Sequence, residues 1–143
     1  MKLVLPILTA FALSVGCAPA MDRFEALSQI ETHNNDWAIG RQQEVSRFQI
    51  LPAYWADAAA TNKQIATNAR PTDPAAARAV VDWIMQSRCH SFQVRYHRPP
   101  NDFEYYILWH RPACYIGRAI PRAITPAESD RATRFASLCG SGF

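Results

Sequence analysis

Ile30-Glu31-Thr32-His33-Asn34-Asn35-Asp36-Trp37-Ala38-Ile39-Gly40, followed after three residues by Glu44-Val45-Ser46-Arg47-Phe48-Gln49-Ile50-Leu51-Pro52, is the stretch on which the reading of this chain turns. Just upstream, Phe24, Leu27 and Ile30 recur at helical spacing, and Glu31 falls seven places beyond Phe24, on nearly the same face. Glu31 therefore ends a short amphipathic helix and sits on its apolar stripe. A polar, Asn-rich loop with a turn at Gly40 follows. A carboxyl held half in a core and half at a polar cleft has a raised pKa, which suits a general acid for glycosidic bond cleavage.

Helical periodicity extends outward from this segment, and no alternating run reads as a strand. Asp22-Arg23-Phe24-Glu25 has the spacing of a helix cap. Ile50, Tyr54 and Trp55 place a second helix over residues 49–60, with Pro52 in its first turn. Asp73-Pro74 opens a long helix with Ala77, Val80, Val81, Ile84, Arg88 and Phe92 on one face, ending before Arg98-Pro99-Pro100. Asn101-Asp102-Phe103-Glu104 caps another, expected to bury Phe103, Tyr106, Ile107 and His110 until Pro112 breaks it. Residues 113–120 suggest a further short helix. Thr125-Pro126-Ala127-Glu128 starts the last, expected to bury Ala132, Phe135, Leu138 and Cys139. The expectation is one all-α domain of about five to seven helices. Trp37, Trp55 and Trp83 read as core residues.

Composition narrows the class. The 143 residues are 49% hydrophobic and 19% charged, a globular balance. A formal charge of +3, one unit of which is Lys2, does not argue for nucleic acid. Met1-Lys2 followed by an apolar run from Leu3 to Val15 reads as an export signal, too short to span a bilayer. Ala18-Pro19-Ala20 fits ordinary cleavage after Ala20; Ser14-Val15-Gly16-Cys17 resembles a bacterial lipobox that would lipidate Cys17, with its leucine one place early at Leu13. The expected organisation is a signal peptide over 1–20 and a domain over 21–143. The domain is expected outside the cytoplasm, whether periplasmic, held at the outer membrane through the lipid, or secreted. In that compartment Cys89, Cys114 and Cys139 allow one disulfide or buried free thiols. No Cys/His spacing suggests zinc, and neither metal nor cofactor is expected.

Glu31-Thr32, Asn34 or Asn35, Ala38, Gly40 and Gln49-Ile50-Leu51-Pro52 together resemble the catalytic segment of the lytic transglycosylase and goose-type lysozyme superfamily. A later motif of that family, Tyr-Asn-Ala-Gly, would fall on Trp109-His110-Arg111-Pro112. Its Gly-x-Gly is replaced here by Glu44-Val45-Ser46-Arg47. The resemblance implies a lysozyme-like fold, a monomer, peptidoglycan strands as the partner and no cofactor. It makes Glu31 the one essential acid, cleaving the bond between N-acetylmuramic acid and N-acetylglucosamine. It gives Gln49 the substrate acetamido group or the loop to hold. Asn35 and Ser46 would line subsites. Tyr106 or Tyr105 would bond Glu31 or stack on a sugar, Trp109 would be a stacking platform, and His110 would stand at the cleft edge. Should water attack instead, a second carboxylate is wanted; Glu44 is the choice over Asp36. The alternative is a non-catalytic glycan-binding or envelope scaffold module on the same fold.

Overall fold

The computed structural model describes residues 20–63, 65 and 68–141. Residues 1–19, where the signal peptide and Cys17 lipidation are expected, lie outside the described residues. The chain forms α1 (Arg23–Thr32), α2 (Pro52–Thr61), α3 (Pro74–Tyr96), α4 (Asp102–His110), a 3-10 turn (Pro112–Cys114) and α5 (Pro126–Leu138). Among the described residues there is no strand, only two isolated bridges, and no helix is long and apolar enough to cross a membrane.

Local chemistry sets the helix starts. Asp22 accepts from the amides of Phe24 and Glu25, and Asp73 from those of Ala75 and Ala76. Pro52, Pro74 and Pro126 occupy first-turn positions, where a missing N–H costs no hydrogen bond. Asn101–Glu104 and Thr125–Glu128 form reciprocal capping boxes.

α4 is the centre of the molecule. Glu104, Tyr105, Tyr106, Ile107 and Leu108 are five consecutive buried residues, so this helix is enclosed on nearly every side. It packs on α5 and α3; α5 also meets α1, and α2 lies on α3. Phe135 of α5 touches both tyrosines, 6.0 Å from the Tyr105 ring and 5.6 Å from that of Tyr106. From α3, buried Ala77, Val80, Val81, Ile84 and Phe92 face the same core. Both ends of α4 are tied. At its start Glu104 accepts from the Asn101 amide (2.9 Å) and from both Arg98 guanidinium nitrogens (2.7 and 2.6 Å). At its end Arg88 of α3 donates to the carbonyls of Leu108 (2.9 Å) and Trp109 (2.7 Å).

Arg98 and the Asn101 amide hold the Glu104 carboxyl below the usual carboxylate range. Its stabilising contribution is present above the ordinary value and lost as pH falls through the lowered one. Glu104→Ala is expected to cost about 2 kcal/mol at neutral pH. That cost should shrink in acid, as urea unfolding at pH 7 and pH 3 will test.

Five expectations are corrected. The second helix begins at Pro52, because Val45 and Ile50 exchange backbone hydrogen bonds of 2.8 Å that hold residues 49–51 in the loop. Residues 113–120 form only the 3-10 turn and bends, with Gly117 at φ 75°. Trp37 is not core; it stands 77% exposed at the loop tip. His110, at the last turn of α4, is exposed rather than buried. Leu138 and Cys139 are half-buried at the end of α5. Cys89, Cys114 and Cys139 are all free thiols, so no disulfide joins any two of them.

Candidate active site

α1 delivers Glu31 to the edge of the core, and the chain then reverses sharply. His33 and Asn34 adopt left-handed φ values of 55° and 64°, a conformation that Asn and His tolerate better than most residues. Buried Ser28 donates to Oδ1 of Asn34, whose Nδ2 donates to Gln29 Oε1 at 2.9 Å. Thr32 donates to the Arg47 carbonyl at 2.8 Å, and Arg47 grips Asp36 with two bonds of 2.5 and 2.9 Å. The loop from 33 to 51 is thereby tied to the end of α1.

Within that loop Gly40 donates to the Glu44 carbonyl at 2.8 Å. A Cβ at Gly40 would lie 2.2 Å from Glu44 Oε2 and 2.5 Å from Gln49 Oε1. Any larger residue here would push the ends of both side chains aside. Glu44 Oε2 also accepts the Gln42 amide at 2.7 Å.

Glu31 is one wall of an open cleft of about 480 Å³, whose lining includes Glu44, Gln49, Tyr54, Trp109, His110 and Arg131. Tyr106, fully buried in α4, donates its hydroxyl to Glu31 Oε1 at 3.0 Å. Tyr106 lies one turn before Trp109 on α4. Burial pushes the Glu31 carboxyl above its ordinary value, and the negative charge of Glu44 adds to this. The Tyr106 hydrogen bond and the Arg131 cation act the other way. Tyr106 itself is pushed up by burial and by Glu31, so it remains a proton donor. The His110 ring stacks on Tyr106 at 5.9 Å; one edge of the residue is open to solvent, and desolvation of the ring against the cleft wall, with the Arg131 charge, lowers its pKa.

Of the residues singled out in the sequence, Glu31, Glu44, Gln49, Trp109 and His110 line one cleft, with Tyr106 behind Glu31. Four do not join them. Ser46 is buried with φ 71°, and its hydroxyl accepts the Phe48 amide at 3.2 Å, so it shapes the loop. Asn35 faces solvent and caps its own turn by accepting the Trp37 amide at 3.0 Å. Asp36 is committed to Arg47. Tyr105 packs into the core under the Arg23 guanidinium.

Arg88, Arg111, Arg131 and Tyr54 are cleft residues that sequence reasoning did not assign. Arg88 carried a signal as a charge on the apolar stripe of α3, Tyr54 as a member of the second helix's stripe and Arg111 by its place after Trp109-His110; Arg131 carried none. Among the described residues no three of His, Cys, Asp and Glu converge in a way that would hold a metal ion.

Tyr106→Phe removes the hydroxyl that favours the Glu31 carboxylate, so Glu31 is expected to titrate at still higher pH. Carboxyl NMR titration of both proteins will read the shift directly; a downward shift or none would contradict the assigned bond. No family model matches this chain, and comparison with curated proteins and with solved structures gives no match either.

Proposed function

We propose that this chain is a peptidoglycan lytic transglycosylase on a lysozyme-like fold. It would cleave the β-1,4 bond between N-acetylmuramic acid and N-acetylglucosamine, with Glu31 as its catalytic acid and base. The observation that carries this reading is a half-buried carboxyl with a raised pKa, bonded by one buried tyrosine at the wall of an open cleft.

The chemistry follows from that protonation state. Protonated Glu31 donates to the glycosidic oxygen as the C1–O bond breaks, and charge develops on the sugar ring. The Glu31 carboxylate left behind takes the proton of the muramic C6 hydroxyl as its oxygen bonds to C1. The acid is thereby restored, a 1,6-anhydro ring closes, and no water is consumed. One enzyme carboxylate suffices because the nucleophile belongs to the substrate. Tyr106 holds Glu31 in place and eases the carboxylate stage. Trp109 offers a ring face for a sugar, and Gln49 an amide for the acetamido group. In this reading the protein is exported, monomeric and engaged with glycan strands, with attachment at the outer membrane if Cys17 is lipidated.

Glu44 favours a second reading. Its carboxylate lies in the same cleft and adds to the rise in the Glu31 pKa, so it could orient a water in a lysozyme-type hydrolysis. Mass spectrometry of products from purified sacculi separates the two: anhydro-muramyl ends mark the transglycosylase, and reducing ends that vanish in Glu44→Gln mark the hydrolase. Binding to sacculi with no bond cleaved would leave the non-catalytic module.

A further inference from the structure

Three guanidiniums reach the cleft, and two have assignments within the fold. Arg111 pairs with Glu128 at 2.7 Å. Arg88, half-buried, is committed to the last carbonyls of α4. Arg131 is different. It stands exposed on α5 and lines the cleft. Among the described residues no carboxylate lies within ion-pair distance of it; its neighbour Asp130 pairs with Arg134. Its side chain hydrogen-bonds the Tyr106 hydroxyl, and its charge acts on Glu31, Tyr106 and His110, so it stands beside the proposed acid. Burial disfavours the charged form of both Glu31 and His110.

A guanidinium with no carboxylate partner, facing a polar cleft, is a planar fork with donors to spare for a carboxylate. We infer that the cleft selects glycans carrying carboxylates, and that Arg131 receives one of them beside the scissile bond. The identity of the glycan rests on the transglycosylase reading; the carboxylate preference rests on Arg131. Two sources supply that chemistry on a muramic acid strand: the lactyl carboxylate exposed when the stem peptide is removed, and the carboxylates of the peptide itself. A ligand carboxylate on Arg131 would also offset the cation that draws Glu31 toward ionisation. The same contact that holds the strand would then keep its acid protonated.

The test is binding by Glu31→Gln protein to three strands of equal length: peptide-free, peptide-bearing, and peptide-free with its carboxyls reduced to alcohols. The reduced strand is expected to bind about 10- to 100-fold more weakly than the better of the other two. Which of those two binds better identifies the source. Arg131→Gln should erase the difference, and Arg131→Lys should keep part of it. Equal affinity for all three strands would overturn the inference, as would a preference surviving in Arg131→Gln or no binding to any strand. Wild-type cleavage separates the two ideas. Cleavage that ignores the carboxyls sinks the Arg131 inference and spares the transglycosylase. Carboxylate-dependent binding with no bond broken does the reverse.

Discussion

Glu31→Gln is expected to lower glycan cleavage by about 10³-fold or more while leaving glycan binding intact. The amide keeps the shape of the side chain, and its oxygen still accepts from Tyr106, but it has no proton to give to a leaving oxygen and no charge with which to take one back. The measurement is release of muropeptides from sacculi, with binding followed separately. Full activity in this variant would remove Glu31 from the chemistry. The same substitution is expected to stabilise the fold at neutral pH. Glu31 binds its proton more tightly folded than unfolded, because burial disfavours the charge. Below the ordinary carboxylate range both states are protonated and the site contributes its full stability. As pH rises through the elevated folded value, that contribution is lost. Gln carries no such liability, so the variant should melt higher than the parent at pH 7, with the gap narrowing below about pH 4. Loss of activity with a gain in stability is hard to produce by misfolding, and this makes the pair of measurements decisive.

The second large effect is remote from the cleft surface. Phe135 is fully buried between Tyr105 and Tyr106. Phe135→Ala should cost about 3–5 kcal/mol, from lost burial and the cavity left behind. Against the roughly 5–15 kcal/mol typical of a domain, that is a large fraction. The site should also suffer before the fold does. Tyr106 rests on Phe135 on one side and stacks with His110 on another. A cavity beneath the ring would let the hydroxyl drift from Glu31. Cleavage at temperatures where the variant is still folded should therefore fall more than the folded fraction accounts for, as activity and urea unfolding measured together will show. Cleavage that tracks the folded fraction alone would mean that Phe135 supports the core but not the acid.

How far the sequence revealed this arrangement depends on how local each cause is. Asp22, Asp73, Asn101 and Thr125 are caps acting on amides two or three residues away, and all four sit where the pattern puts them. The stripe of α3 is legible because a long helix repeats its signal. Glu31 at the end of an apolar stripe was likewise readable, as was a tyrosine near it. The loop from 33 to 51 was not. Its path is set by left-handed residues, Gln43, Ser46 and Gln49 among them, and by crossing hydrogen bonds, not by hydropathy. Ser46 is therefore buried where a polar loop residue would be expected outside, and Trp37 is exposed. Arg131 could not be found by pattern at all. It looks like any surface arginine on α5, and only the packing of α5 against α4 and α1 brings it to the cleft.

The three unpaired thiols bear on how the chain would fare in an oxidising compartment, the destination proposed for it. Burial raises the pKa of Cys89 and Cys114 and pushes that of Cys139 up to about 11, so each is overwhelmingly in its sluggish, protonated form. Exchange with a passing disulfide needs the thiolate. A molecule built this way owes its shape to no oxidant, and once folded it can cross an oxidising space with little tendency to become tethered to its neighbours.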